Sequence, residues 1–534
     1  MSETDQQQQR RQDEQWQPRA NKWLIAVVVT VAAFMEILDS TIVNVSLPHI
    51  AGSLSTSYDD ATWTLTSYLV ANGIVLPISG ALGRIIGRKR YFLICIGAFT
   101  ACSFLCGIAS SLTQLILFRL LQGFFGGGLQ PNQQSIILDT FPAAQRGRAF
   151  SVVAVAVVFA PIIGPTLGGW ITDTYSWRWI FFINIPIGLL AIPTIAALVE
   201  DPPWVERERS SWLDLDYIGI GLIAVGLGFL QITLDRGEDA DWFGSSFIRL
   251  TATLCVLGLV GAVIWLTLFA SKPVVNLRAF LDRNFAVGCL AAVAMFSILY
   301  SSAVLIPQLA QVQFGYTAYW AGLILSPGGF VVLALIPFVS RVLLPHVQTR
   351  FIIAFGFLAL GAALAMATEL TPDMSFWDLA MLRLSQTFGL AFLFVPNSTL
   401  AYATIPKELN TDASALYVML RNVAGSIGIS FATAMVIQRS QVHRAYLGAH
   451  LTPLDQPYAQ LLAQMEQTLR AHGFAPDTLA ATANGLLNHA LNTQAAILAY
   501  MDVFMWTSAT AFCMVPLAFL FRGTTASGRR APAH

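Results

Sequence analysis

The sequence predicts an all-α protein that crosses a membrane fourteen times, as two six-helix halves with two inserted helices between them. Three observations predict it: the scarcity of charge, the number and length of the apolar runs, and the way basic residues alternate between loops. Of 534 residues, 55% are hydrophobic and 11% are charged, whereas a soluble domain carries about 25% charged residues. That places the chain in the membrane class before any motif is read. The formal net charge is +0, so the total selects no charged partner, and the reading includes no nucleic acid.

A spanning helix needs about 20 mostly apolar residues. Fourteen runs qualify: 23–47, 61–83, 91–112, 114–138, 150–172, 179–199, 215–234, 247–270, 285–311, 318–340, 350–369, 376–402, 413–437 and 497–521. An even number puts both termini on one side. Of the 30 Lys and Arg residues, 21 fall on the side of the N-terminus, six on the other side and three within runs. That bias predicts cytoplasmic termini, and a missed helix would scramble the alternation.

The organisation follows. Residues 1–22, polar and Gln-rich, form a disordered cytoplasmic tail and not a signal peptide, because the apolar run behind them is too long. Residues 23–199 make the N-terminal half, 200–270 a linker with two inserted helices, 271–521 the C-terminal half, and 522–534 a second cytoplasmic tail. The linker "EDPPWVERERSSWLDLD" carries two prolines and mixed charge. The outer loop 438–496 contains "YAQLLAQMEQTLRAHG" and "DTLAATANGLLNHALN". Both have helical periodicity, as separate helices or as extensions of the last two spans.

Two halves are expected because two runs repeat. "FRLLQGFFGGGLQPN" from Phe118 and "LRLSQTFGLAFLFVPN" from Leu382 align Arg119 with Arg383, Gln122 with Gln386, and Pro131-Asn132 with Pro396-Asn397. Paired halves with a site at their interface are a recurrent transporter design.

The chemistry starts with two acids in the first run. A charge at the bilayer centre costs at least ~2.5–3.5 kcal/mol, yet "FMEILDSTIVNVSLP" places Glu36 and Asp39 three residues apart on one helix face. At 1.5 Å per residue, Asp39 lies roughly 12 Å below the outer end of its helix and Arg119 roughly 9 Å below the outer end of the fourth. The two are at pairing depth. A carboxylate that moves between burial and a neighbouring arginine can load and release a proton, so Asp39, Glu36 and Arg119 form the candidate proton-coupling set. A static ion pair holding helices together is the structural alternative. Arg383 lies near an outer end and can snorkel. Arg421 lies deeper and needs an acceptor or a wet cavity. With Trp63, Tyr68, Asn72, Gln122, Tyr300, Gln308, Gln311 and Asn397 it makes the candidate cavity lining.

"APIIGPTLGGW" in the fifth run suggests a hinge. Pro161 and Pro165 remove backbone donors, and Gly164, Gly168 and Gly169 give a smooth face for close helix approach. "GALGRIIGRKR" makes a tight inner turn with Gly80, Arg84, Gly87 and Arg88 as gating candidates. The six cysteines all fall in apolar runs without CxxC pairs and read as buried small hydrophobes. There is no GxxxxGK[ST] loop, no HExxH and no His or Cys pair at metal spacing. The expectation is therefore no cofactor and no metal, with the proton gradient as energy source, and no enzyme activity.

"LDSTIVNVSLP", "RLLQGFFGGG", "GPTLGGW" and "SWRWIFFINIPIG" resemble, in order, the signature segments of the major facilitator superfamily. More narrowly they are similar to its fourteen-helix drug:proton antiporters of the EmrB/QacA type, over about Trp23 to Phe521. "LDRGEDADWF" and "RNVAGSIG" extend the match. The resemblance implies the major facilitator fold, export, a proton-linked role for Asp39 and the helix 4 arginine role for Arg119. One segment departs. The superfamily's inner turn usually reads G-x-L-a-D-R-x-G-R-K, and here Arg84 stands where the acid belongs and Ile85 where the arginine belongs. Loss of that acid resembles the subgroup that works with a periplasmic adaptor and an outer-membrane channel, which are then implied partners.

The sequence thus predicts a proton-coupled antiporter in a bacterial inner membrane, exporting amphipathic or aromatic drugs or toxic compounds across it by alternating access, with the lipid bilayer, small hydrophobic substrates and protons as partners. A proton-linked or facilitative importer of the same fold is the first alternative and a membrane sensor the second.

Overall fold

A computed structural model of the chain describes residues 18–203, 215–271, 273–406, 409–449, 451, 456–472, 474–475 and 478–522. Most of the two expected tails and residues 204–214 of the expected linker lie outside these residues. Among the described residues all regular elements are helical.

The spans are α1 (Lys22–Ser53), α2 (Tyr58–Ile86), α3 (Arg88–Ile108), α4 (Leu112–Thr140), α5 (Ala143–Thr174), α6 (Trp179–Leu198), α7 (Tyr217–Arg236), α8 (Ser246–Phe269), α9 (Arg283–Val312), α10 (Tyr319–His346), α11 (Thr349–Met366), α12 (Phe376–Ala401), α13 (Asn410–Gly448) and α14 (Leu479–Leu520). Among the described residues thirteen helices are individually long and apolar enough to cross a membrane, and α5, bent by 44° after Pro161, makes the fourteenth. The bend lies where proline removes a backbone donor.

Local chemistry sets the boundaries. Asn21 accepts from the Trp23 amide at 2.9 Å to start α1, Ser57 from Asp60 at 3.0 Å to start α2, and Asp216 from Gly219 at 2.8 Å to start α7. Ser375 and Asp378 form a reciprocal capping box at α12. Gly87 both ends α2 and opens α3 with φ of +95°. Only glycine adopts that conformation without strain, so the turn between these two spans needs a single residue.

The packing repeats with a shift of eight helices. α1 packs on α5 as α9 packs on α13, α2 on α4 as α10 on α12, and α3 on α4 and α6 as α11 on α12 and α14. The halves meet along α2–α13 and α5–α10. α7 and α8 pair with each other, and α7 packs against α2 and α13. The α1–α5 contact explains two of the three glycines: a Cβ on Gly164 would lie 2.3 Å from Thr41 Oγ1, and one on Gly168 2.7 Å from Ile42 Cγ1. Gly169 is outside this close approach, its Cβ position being 3.8 Å from Val45.

The loop 438–496 combines both expected forms. α13 and α14 contain 39 and 42 residues, about 60 Å each at 1.5 Å per residue, twice the hydrocarbon core of about 30 Å. The second periodic stretch is thus an extension of α14. The first is a separate amphipathic helix, Gln456–Ala471, docked on α14, with Tyr458 donating to Asn484 Oδ1 at 2.9 Å. Arg439 and His443 on α13 hold Asp502 on α14 at 2.5 and 2.8 Å. Of the cysteines, five are buried and free, while Cys513 is exposed on α14.

Candidate functional site

α1 carries both acids, and its neighbours treat them differently. Asp39 is sealed. Arg119 Nη1 on α4 donates to Asp39 Oδ2 at 2.5 Å, and both side chains have 0% exposure. The other oxygen, Oδ1, accepts from Gln122 Nε2 at 3.0 Å and Asn184 Nδ2 at 2.8 Å. Arg119 also donates to Gln122 Oε1 at 2.9 Å and to the Thr64 carbonyl at 3.2 Å, and its guanidinium lies 4.1 Å from the Tyr68 ring centroid. Pairing and extra hydrogen bonds are what make a buried ion pair tolerable in a low-dielectric interior. Sequence depth predicted the pair. It did not find Asn184, although Asn184 is the polar residue within the apolar segment "FFINIPIG".

Glu36 faces a cavity. One turn deeper than Asp39, its Oε1 accepts from Asn72 Nδ2 at 2.9 Å and Tyr68 OH at 3.4 Å, and its Oε2 accepts from Gln130. The cavity holds about 170 Å³ and runs along α1 from Glu36 past Ser40 and Thr41 to Asn44, toward the face opposite the termini. Its walls come from both halves: Tyr68, Asn72 and Gln130 on one side, Tyr300, Asn422 and Ser426 on the other. That volume accommodates several waters. Of the residues expected to line a cavity, Tyr68, Asn72 and Tyr300 do so.

The others are elsewhere, because helical phase and depth decide what a side chain meets. Trp63 lies beneath the Arg236 guanidinium of α7 at 4.4 Å. Gln122 belongs to the Asp39 network. Asn397 is buried and ties α12 to α9 and α13, donating to the Gly288 carbonyl at 2.9 Å and Tyr417 OH at 3.0 Å. Gln311 is exposed near the end of α9 and donates to its own helix, at the Pro307 carbonyl. Gln308 is half-buried outside the cavity lining. Arg421 is buried beside the Phe296 ring, 5.2 Å from its centroid, at a separate small cavity with Tyr417 and Gln134. Arg383 does not snorkel: its side chain is fully buried and donates to Ser302 Oγ at 2.6 Å, joining α12 to α9 as Arg119 joins α4 to α1.

The face that carries the termini is closed by polar contacts between the halves. Arg84 of α2 pairs with Asp412 of α13 and also donates to the Val274 carbonyl at 3.3 Å. A Cβ on Gly80 would lie 3.2 Å from Asp412 Oδ1, so α2 and α13 touch there. Within the N-terminal half Arg88 pairs with Asp139, and Asp139 reaches across to accept from Asn410 Nδ2 of α13 at 3.3 Å. Tyr402 donates to Gln134 at 2.9 Å, and Arg146 donates to the Tyr402 carbonyl at 3.2 Å. The departure at Arg84 thus has a structural counterpart. The base sits on the N-terminal half and the acid on the C-terminal half, in the first turn of α13, where a carboxylate also complements the helix dipole.

Comparison with known proteins agrees with this architecture. The Major Facilitator Superfamily profile matches residues 29–429. The chain is 39% identical over 446 residues to the multidrug export protein EmrB of Haemophilus influenzae, covering 83% of this chain and 86% of that protein. It is 36% identical over 494 residues to EmrB of Escherichia coli strain K12, covering 92% and 93%. It is 33% identical to the fatty acid resistance protein FarB of Neisseria gonorrhoeae, covering 94% and 97%. The human organic anion transporter MFSD10 shares the fold, with a TM-score of 0.58 at 14% identity over 92% of this chain and 100% of its own. Among the described residues, two repeated six-helix halves with two inserted helices, a cavity between the halves that holds Glu36, and these relatives lead to one conclusion: the chain is a multi-pass membrane protein of the major facilitator superfamily, in its EmrB-type branch of transporters.

Proposed function

We propose that this protein exports amphipathic or aromatic toxic compounds across a bacterial inner membrane in exchange for protons, and that Glu36 is where proton and compound meet. One observation carries the assignment. Glu36 lines the cavity between the halves, whereas Asp39 is sealed on Arg119 with no exposure. A proton or a cationic group entering the cavity reaches Glu36 directly. Asp39 becomes available only when α1 and α4 move apart. Relatives named for multidrug export and fatty acid resistance support a lipophilic cargo.

The cycle then follows from the geometry. With the termini face closed, a proton from the opposite side neutralises Glu36 and weakens its hold on a compound, which leaves. Breaking the contacts that cross between the halves, Arg84–Asp412, Asn410–Asp139 and Tyr402–Gln134, opens the termini face, where the proton departs and a new compound binds. The gradient supplies the energy without a cofactor. The bias of basic residues supports cytoplasmic termini. The overhanging parts of α13 and α14 would then stand on the outer side, where a periplasmic adaptor leading to an outer-membrane channel would meet them. That partnership rests on the family resemblance.

The test is proton release from acidified inside-out vesicles on addition of lipophilic and aromatic compounds. Wild type is expected to release protons, and Glu36→Gln to bind the same compounds with release reduced at least tenfold. Wild-type behaviour of Glu36→Gln would overturn the assignment, and accumulation instead of extrusion in intact cells would point to an importer.

A further inference from the structure

α7 belongs to an insertion between the halves, and nothing in a two-half transporter requires it at the site. Its outer part is nevertheless fixed to both halves. Thr66 of α2 donates to Asp235, and the Arg236 guanidinium covers Trp63 of α2 at 4.4 Å. On the other side Ser430 of α13 donates to the Leu234 carbonyl at 2.8 Å. Gly228, Gln231 and Asp235 recur at intervals of three and four residues, so they share one face of the helix. A Cβ on Gly228 would lie 3.2 Å from Ile74 of α2, which sets that face against α2. Between these anchors Gln231 enters the lining of the cavity that holds Glu36, Asn72 and Tyr300. Elsewhere on α7, Ile218 and Val225 are exposed and apolar, as suits a helix that also meets lipid.

We propose that α7 is a third wall of the substrate cavity and that Gln231 is a specificity residue, taking a hydroxyl, amine, amide or carbonyl group of the compound held near Glu36. The primary amide offers two donors and an acceptor, so it matches neutral polar substituents of either kind. The Thr66–Asp235 and Ser430–Leu234 bonds are the positioning contacts that hold it there. The inference rests on the reading of this cavity as the substrate site.

Two measurements test it. In right-side-out spheroplasts with Cys513 replaced by Ser, a membrane-impermeant maleimide is added to Gln231→Cys, Asn422→Cys and Val225→Cys proteins. Maleimides react with the thiolate, which forms in water and not in lipid. Positions 231 and 422 are expected to label and 225 to stay unlabelled. Labelling at 422 without labelling at 231 would remove α7 from the cavity while leaving the cavity reading intact. Failure at both 422 and 231 would sink the cavity reading itself.

The second measurement compares ethidium, which carries two aromatic amines, with tetraphenylphosphonium, which has no hydrogen-bonding group. Gln231→Leu is expected to raise the KM for ethidium about three- to tenfold, the worth of one hydrogen bond, with kcat unchanged and tetraphenylphosphonium unaffected. An equal change for both probes, or none for either, would overturn the specificity role.

Discussion

Asp39→Asn is expected to abolish compound-driven proton release and also to lower the stability of the purified protein. The substitution leaves Arg119 buried with no counter-charge, because Asp39 is the carboxylate it pairs with at 0% exposure. Breaking one partner of a buried pair typically costs about 3–5 kcal/mol. Arg119→Ala should cost a similar amount for the reciprocal reason. The informative variant is the double neutralisation, Asp39→Asn with Arg119→Gln. Replacing both charges together avoids the uncompensated ion, so thermal unfolding in detergent should return most of the way to wild type. Proton release should not return. Stability and transport that recover together would reduce Asp39 to a structural role and leave Glu36 as the sole coupling acid.

Reversing the charge of Arg84 should trap the transporter. Arg84→Asp faces Asp412 across the α2–α13 contact, so attraction at the termini face becomes repulsion. The form closed at the termini face loses its clasp, and efflux is expected to fall by an order of magnitude or more. Asp412→Arg should do the same. The double reversal, Arg84→Asp with Asp412→Arg, restores opposite charges and should recover much of the efflux, with a coupling of roughly 1–3 kcal/mol. Recovery should be incomplete for two reasons. A base in the first turn of α13 opposes the helix dipole, and the bond from Arg84 to the Val274 carbonyl is lost. Efflux from the double variant no better than from either single variant would mean that the pair is not the clasp. Thiol accessibility from the termini side gives the matching readout, rising in each single variant and falling back in the double.

The amino-acid sequence alone determined the spans, since each must satisfy its own backbone within the bilayer and so announces itself as a long apolar run. It also determined which residues must do something unusual. Glu36, Asp39 and Arg119 are costly in hydrocarbon wherever they point, and equal depth on two helices was enough to pair Asp39 with Arg119. The repeat around Arg119 and Arg383 foretold the eight-helix shift in packing.

What only the tertiary structure decided is which way each polar side chain turns. Trp63, Gln122 and Asn397 are as polar or aromatic as Tyr68, Asn72 and Tyr300, yet only the latter three reach the cavity, because helix rotation and the neighbouring helix set the outcome. The same holds for the two acids, one turn apart on one helix, of which one is sealed on Arg119 and the other lines the cavity. Asp412 could not be assigned to Arg84 from a separation of 328 residues, nor could Gln231 be assigned to the site from an inserted helix. Depth along a helix is written in the sequence. Contact across helices is written only in how they pack.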